Sequence, residues 1–176
     1  MSSPMATPQS RSKESFPALP YPYRFLFVGL EPASLFLPFF LALLYPSWFQ
    51  HQLIPSSEPA APLGPREVMA IWQLGNCYGL LGLISSFVFR AIRDTLKDNP
   101  WAQERIIAAS LTALAIADIT HILLTLLALP PKLRFNIVEW NAMTWGNIPT
   151  VVVLFVGRMA WFAGVGRTSF LKQKVP

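Results

Sequence analysis

Four apolar runs, at residues 24–45, 68–91, 105–129 and 148–170, constrain this chain more than any other feature. Each is about as long as the roughly 20 residues a helix needs to cross hydrocarbon. A bilayer core offers no partner to a bare N–H or C=O, so runs of this kind fold as helices. A soluble bundle would carry a polar face along every helix, and these segments carry none. The expected fold class is all-α: a polytopic membrane protein built as a four-helix transmembrane bundle. Residues 1–23, rich in Pro and Ser, are expected to form a disordered tail, 24–170 the transmembrane domain and 171–176 a second tail. The first apolar run has no small-residue cleavage site and reads as an anchor that stays in place.

Composition supports the lipid bilayer as the principal surroundings. Only 13% of the residues are charged, against about a quarter in soluble proteins. The net charge of +5 comes without a basic stripe or interleaved aromatics, so nucleic acid is not expected as a partner. Lys and Arg fall unevenly: Arg11, Lys13, Arg24, Arg90, Arg93, Lys97, Arg105, Arg167, Lys172 and Lys174 lie on one side of the spans. Only Arg66, Lys132 and Arg134 lie on the other. The positive-inside rule then predicts both termini in the cytosol, in a multi-pass protein expected in the endoplasmic reticulum. Cys77 is the only cysteine, so no internal disulfide can form.

Small residues and prolines shape the helices. Gly75, Gly79, Gly82 and Ser86 recur along one side of the second run, where another helix can approach closely. In the first run Pro32 and Pro38 each lack the N–H that would bond the carbonyl four residues back, at Val28 and Ser34. The helix is therefore expected to be bent where Glu31 sits.

One strongly polar residue falls at a similar depth in each run. Glu31 is seven residues beyond Arg24, Asp118 thirteen beyond Arg105, Arg158 ten beyond Ile148 and Asn76 eight beyond Val68. At about 1.5 Å per residue all four lie in the middle third of the core. His121 shares a helix face with Asp118, three residues on. An ionisable group at a helix centre costs at least about 2.5–3.5 kcal/mol unless paired or hydrated, so these side chains should face the bundle interior.

Two readings of this constellation stay open. In the first, Arg158 pairs with Glu31 or Asp118, Asn76 caps the network, and the cluster does no more than set helix register. In the second, the polar residues floor a cavity for a lipophilic small molecule. A protonated Glu31 or Asp118 is then a general acid, His121 relays or accepts the proton, and Arg158 orients an oxygen of the ligand. Trp140, Asn141, Trp145 and Asn147, in the loop before the fourth run, are candidate ligand contacts together with Asn76. The two Trp residues also suit interfacial anchoring. Asn147, followed by Pro149, reads as the N-cap of the fourth helix.

Other chemistries have little support. Glu31, Asp118 and His121 could offer two oxygens and a nitrogen, but no HExxH or repeated His pattern accompanies them, so no metal is expected. There is no G-x-S-x-G for a hydrolase, no filter motif for a channel, and no cofactor motif.

The segments GLEP, Asn76, ADITH, WNAMTWGN and GRMAWFAGVG, in that order between residues 21 and 166, resemble a family of small fungal four-span membrane proteins catalogued as a domain of unknown function. That resemblance implies a fungal source and four helices. It also implies Glu31, Asp118, His121, Asn141, Trp145, Gly146, Asn147 and Arg158 as signature positions. In topology and residue type the chain is also similar to the EXPERA-type domain of sterol isomerases and sterol-binding membrane proteins, which use buried carboxylates in a lipophilic cavity. The family resemblance implies no activity. The looser likeness to the EXPERA-type domain, and the buried acids of fungal integral-membrane terpene cyclases, which have more spans, point to an acid/base isomerase or cyclase acting on a terpenoid, sterol-like or polyketide-derived metabolite, as part of secondary metabolism. The rival expectation is a non-catalytic lipid-binding or scaffold protein that supports other membrane-bound enzymes of such a pathway.

Overall fold

The computed structural model describes residues 16–57 and 59–171 of the chain. Of the tails expected at 1–23 and 171–176, residues 1–15 and 172–176 lie outside the described residues. Among the described residues every regular element is helical, and four helices are long and apolar enough to cross a membrane. They are the first span Tyr21–Leu44, the second Pro65–Thr95, the third Pro100–Ala128 and the fourth Ala142–Ala163.

Local chemistry sets their ends. Glu67 folds its carboxylate back onto the Gly64 N–H at 2.7 Å to open the second span, as in half of a capping box. Asn99 caps the third, its Oδ1 accepting from Ala102 N–H at 3.0 Å, and Pro100 stands at the first turn where no N–H is needed. The fourth span departs from expectation at both ends. It begins at Ala142 rather than 148, because Asn141 supplies the cap and bonds Thr144 N–H at 2.9 Å. Asn147 is therefore inside the helix. Pro149 does not start it but sits in a π-helical turn, Gly146–Thr150, whose wider winding accommodates a missing donor. The span stops at Ala163 because Gly164 turns left-handed at φ 82°. The N–H of Val165 then bonds the Ala160 carbonyl and that of Gly164 the Trp161 carbonyl, a Schellman closure.

Where a bend is expected at Glu31, the structure has a second π-helical turn, Phe25–Leu30. The Glu31 N–H reaches back five residues to the Leu26 carbonyl, immediately before Pro32 leaves the ladder without a donor.

The helices associate as two pairs. The first and second spans pack along the glycine stripe. A Cβ placed on Gly75 would lie 2.9 Å from the Ala42 Cβ, and one on Gly79 2.8 Å from the Phe39 ring. Gly82 faces Phe36 in the same way. The stripe thus brings the two helices to a separation that side chains would forbid. The third and fourth spans form the other pair. The first span joins the pairs through its π turn, since Gly157 leaves room for Leu26 and Phe27 against the fourth span.

Both described termini meet at one end of the bundle. Residues 16–20, expected to belong to a disordered tail, are packed instead. Phe16, Ala18 and Leu19 are buried in a cluster with Phe89, Ile107 and Leu111. The reason is a polar tether beneath apolar side chains: Trp161 Nε1 donates to the Ala18 carbonyl at 3.0 Å. On the C-terminal side Glu104 is buried and accepts from Arg167 Nη1 at 2.7 Å, Ser169 Oγ at 2.9 Å and the N–H groups of Phe170 and Leu171. Arg167 lies flat over the Trp161 ring, 3.8 Å from its centroid. The two termini therefore close this end as one plug.

Candidate functional site

Three of the four depth-matched residues meet. Arg158 extends from the fourth span between the first and third, with Nη2 2.8 Å from Glu31 Oε1 and Nη1 2.8 Å from Asp118 Oδ2. All three are buried: 1% exposed for Arg158, 3% for Glu31 and 8% for Asp118. The guanidinium also lies 5.4 Å from the Phe27 ring centroid, over its face, a favourable position for a cation. The π turn sets Glu31 and Phe27 on the side where Gly157 admits them, so backbone irregularity and ion cluster belong to one construction.

One cation serves two carboxyl groups here. Glu31 Oε2 and Arg158 Nε have no hydrogen-bond partner among the described residues. The guanidinium also fills the space between the carboxyls that a metal would occupy, and no three His, Cys, Asp or Glu side chains gather among the described residues.

Asn76 is not part of this cluster. It is exposed on the outside of the second span, and the expectation that it would cap the network is overturned. The glycine stripe is the reason. Packing Gly75, Gly79 and Gly82 against the first span turns the neighbouring position 76 away from the interior.

Beside the cluster, toward the end away from the termini, a cavity of about 280 Å³ separates the two helix pairs. Its wall includes Ser34, Leu37, Tyr78, His121, Asn147 and Thr150. Ser34 and His121 each lie three residues beyond a carboxyl of the ion cluster, so the cavity sits about one helical turn from it. Ser34 Oγ is occupied by the Glu31 carbonyl at 2.8 Å. His121 has Asn147 as its polar neighbour, while its Nε2 is buried with no partner among the described residues. Leu37 and Trp48, which also line the cavity, are partly exposed on the outer surface of the bundle. The cavity therefore borders the outer surface of the bundle.

The loop residues divide. Asn141 is structural at two points, capping the fourth span and donating from Nδ2 to the Gln52 carbonyl at 2.8 Å. Trp140 donates from Nε1 to the Leu133 carbonyl at 2.8 Å. Both border a larger, open polar cleft of about 1110 Å³ that also includes His51, Gln52 and Lys132. Trp145 packs edge-on against Trp140, with centroids 5.8 Å apart, and is half exposed. Of the five ligand-contact candidates, only Asn147 borders the cavity next to the ion cluster.

Sequence reasoning missed Tyr78 and Ser34 as cavity residues and Glu104, Trp161 and Arg167 as the plug. Tyr78 carried no signal, as an isolated Tyr in an apolar run. Glu104 and Arg167 were each legible as a charge at a span end, but nothing in the chain linked them across 63 positions.

No curated protein and no solved structure is detectably similar to this chain. A family model, described as a domain of unknown function, DUF7704, matches residues 16–168. That match extends from the buried Phe16 to the tail held by Glu104, and so takes in both pairs of spans, the ion cluster and the cavity. The chain therefore belongs to the DUF7704 family.

Proposed function

We propose that this protein is a membrane-embedded acid/base isomerase or cyclase that takes a lipophilic metabolite into the cavity between its helix pairs. The observation that carries this reading is His121. Its side chain lines an otherwise largely apolar cavity, its Nε2 is buried with no partner among the described residues, and it lies one turn from Asp118, one of two carboxyl groups that share a cation. An imidazole so placed can exchange a proton with a ligand, which typically contributes a factor of about 10²–10⁴ in rate. Glu31 and Asp118 supply the acid, keeping a proton inside the cluster, and Arg158 holds both carboxyls in place. Asn147 orients the imidazole. At about 280 Å³ the cavity lies at the small end of the roughly 300–1,000 Å³ range of ligand sites. It suits a compact terpenoid or polyketide-derived skeleton, or one end of a longer molecule whose remainder stays in lipid near Leu37 and Trp48. The setting consistent with this reading is a fungal secondary-metabolic pathway in the endoplasmic reticulum, with both termini cytosolic and other membrane-bound enzymes nearby.

A second reading is favoured by the same triad. Arg158 bonds both carboxyls, so the cluster can act as a register pin in a protein that binds or scaffolds without chemistry. Comparing metabolites of a strain lacking the gene with strains carrying wild type or His121→Ala separates the two. An isomeric precursor that accumulates in both the deletion and the His121→Ala strain, at normal protein level, supports the enzyme. Unchanged metabolites on deletion sink it, and full rescue by His121→Ala favours the binding protein.

A further inference from the structure

Asn76 raises a problem that the bundle leaves unsolved. Measured along the apolar stretch 68–89 of the second span, it lies about 4 Å from the midpoint. Its amide faces outward and has no hydrogen-bond partner among the described residues. Gln73, one turn away, faces the same side. Asn is too short to lift its amide across the roughly 12 Å to the nearer end of the stretch. Polar side chains within a span almost always face protein or a water-filled cavity.

The residues around it form a seam. Met69, Gln73, Asn76, Leu80, Leu83 and Phe87 follow one another at steps of four and three, and all six are exposed. They form one stripe of a wider exposed face that also holds Trp72, Cys77, Leu81 and Ile84, at the spacing with which a helix packs along a partner helix. Met69 at 60% exposed and Phe87 at 63% mark its two ends. Another side of the same helix, with Gly75, Gly79 and Gly82, is already taken by the first span.

We propose that the chain forms a parallel two-fold homodimer through this outward face of its second span, with Asn76 hydrogen-bonded to the partner's Asn76. Complementarity selects the occupant. Two copies of one chain share their orientation in the membrane, so their second spans run parallel and every seam residue meets its own kind at the same depth. An amide carries both donor and acceptor, so it satisfies an identical amide across a two-fold axis. An unrelated apolar helix would leave Asn76 and Gln73 unsatisfied, as lipid does. The proposal is independent of any ligand in the cavity, because no residue of the seam lines it.

The test uses the full chain reconstituted in phosphatidylcholine vesicles. In a Cys77→Ser background, Leu83→Cys should give a disulfide-linked dimer on mild oxidation, whereas Val153→Cys, on the exposed side of the fourth span, should not. Energy transfer between labelled copies, followed as the protein is diluted in lipid, should show Asn76→Leu with Gln73→Leu dissociating about tenfold more readily. Asn76→Gln should retain association. Because both residues face outward, the thermal transition of the bundle in detergent should be unchanged in the leucine variant. A wild-type chain that stays monomeric over the whole dilution range overturns the proposal. So does a leucine variant that associates like wild type, or cross-linking through Val153→Cys in place of Leu83→Cys.

Discussion

Arg158 Nη2 lies 2.8 Å from Glu31 Oε1, and the same guanidinium reaches Asp118 Oδ2 at 2.8 Å. Three of the four spans are thus tied by one side chain that is 1% exposed. Replacing Arg158 with Leu leaves two carboxyl groups facing each other in an apolar interior. Removing the only cation of a buried ion cluster leaves charge uncompensated, which costs about 3–5 kcal/mol. The Arg158→Leu variant should show a clearly lowered thermal transition in detergent, and an unchanged transition would mean that the cluster does not hold the bundle together.

The two-to-one ratio of carboxyls to cation predicts non-additivity. Glu31→Gln or Asp118→Asn alone leaves one carboxylate against one guanidinium, so each single variant should stay within about 1 kcal/mol of wild type. The double variant strands Arg158 without a counter-charge and should lose about 3–5 kcal/mol. A double-mutant cycle on the unfolding free energy checks this. Additive single and double effects would show that the two carboxyls do not share the guanidinium.

Gly79 and Gly146 should respond oppositely to a larger side chain. A Cβ at Gly79 would come within 2.8 Å of Phe39, whereas one at Gly146 meets nothing within 4 Å. Gly79→Val should cost about 1–3 kcal/mol through overpacking. Gly146→Ala should be neutral or slightly stabilising. Thermal transitions of the two variants measured side by side decide the matter, and equal behaviour would count against the close approach of the first two spans.

The plug at the termini makes a prediction about proteolysis. Arg167 is clamped between the Glu104 carboxylate and the Trp161 ring. Glu104→Ala removes four acceptor contacts at once and should release residues 164–171 from the bundle. Trypsin should then cut after Arg167 at least several-fold faster than in wild type, since cleavage follows local opening. Mass spectrometry of the digest reads the site directly, and equal cleavage rates would show that the clamp does not protect the tail.

Length and hydropathy are local properties, and they were sufficient for four spanning helices, because a helix in lipid satisfies its own backbone and needs no partner to be defined. The similar depth of Glu31, Asp118 and Arg158 was also local, being a matter of counting residues from each span's end. Their meeting was foreseeable from the cost of leaving them apart. The helix ends were less legible. Asn141 and Asn147 are both plausible caps, and only the hydrogen bond from Thr144 N–H decides for Asn141.

Depth along a helix can be read from the chain, but rotation about the helix axis is set by what the neighbouring helix requires. Asn76 had the right depth for the cluster. The glycine stripe, packed to within 2.9 Å of where a Cβ would meet Ala42, rotated it to the outside. The same dependence on distant partners hid the plug, in which Glu104 and Arg167 find each other across two spans. It also hid the cavity, whose lining comes from residues of both helix pairs. The sequence alone determined which segments enter the membrane and how deep each polar group lies. Tertiary packing decided which of those groups face one another, because the helix rotations follow from the close fit of one side chain against another.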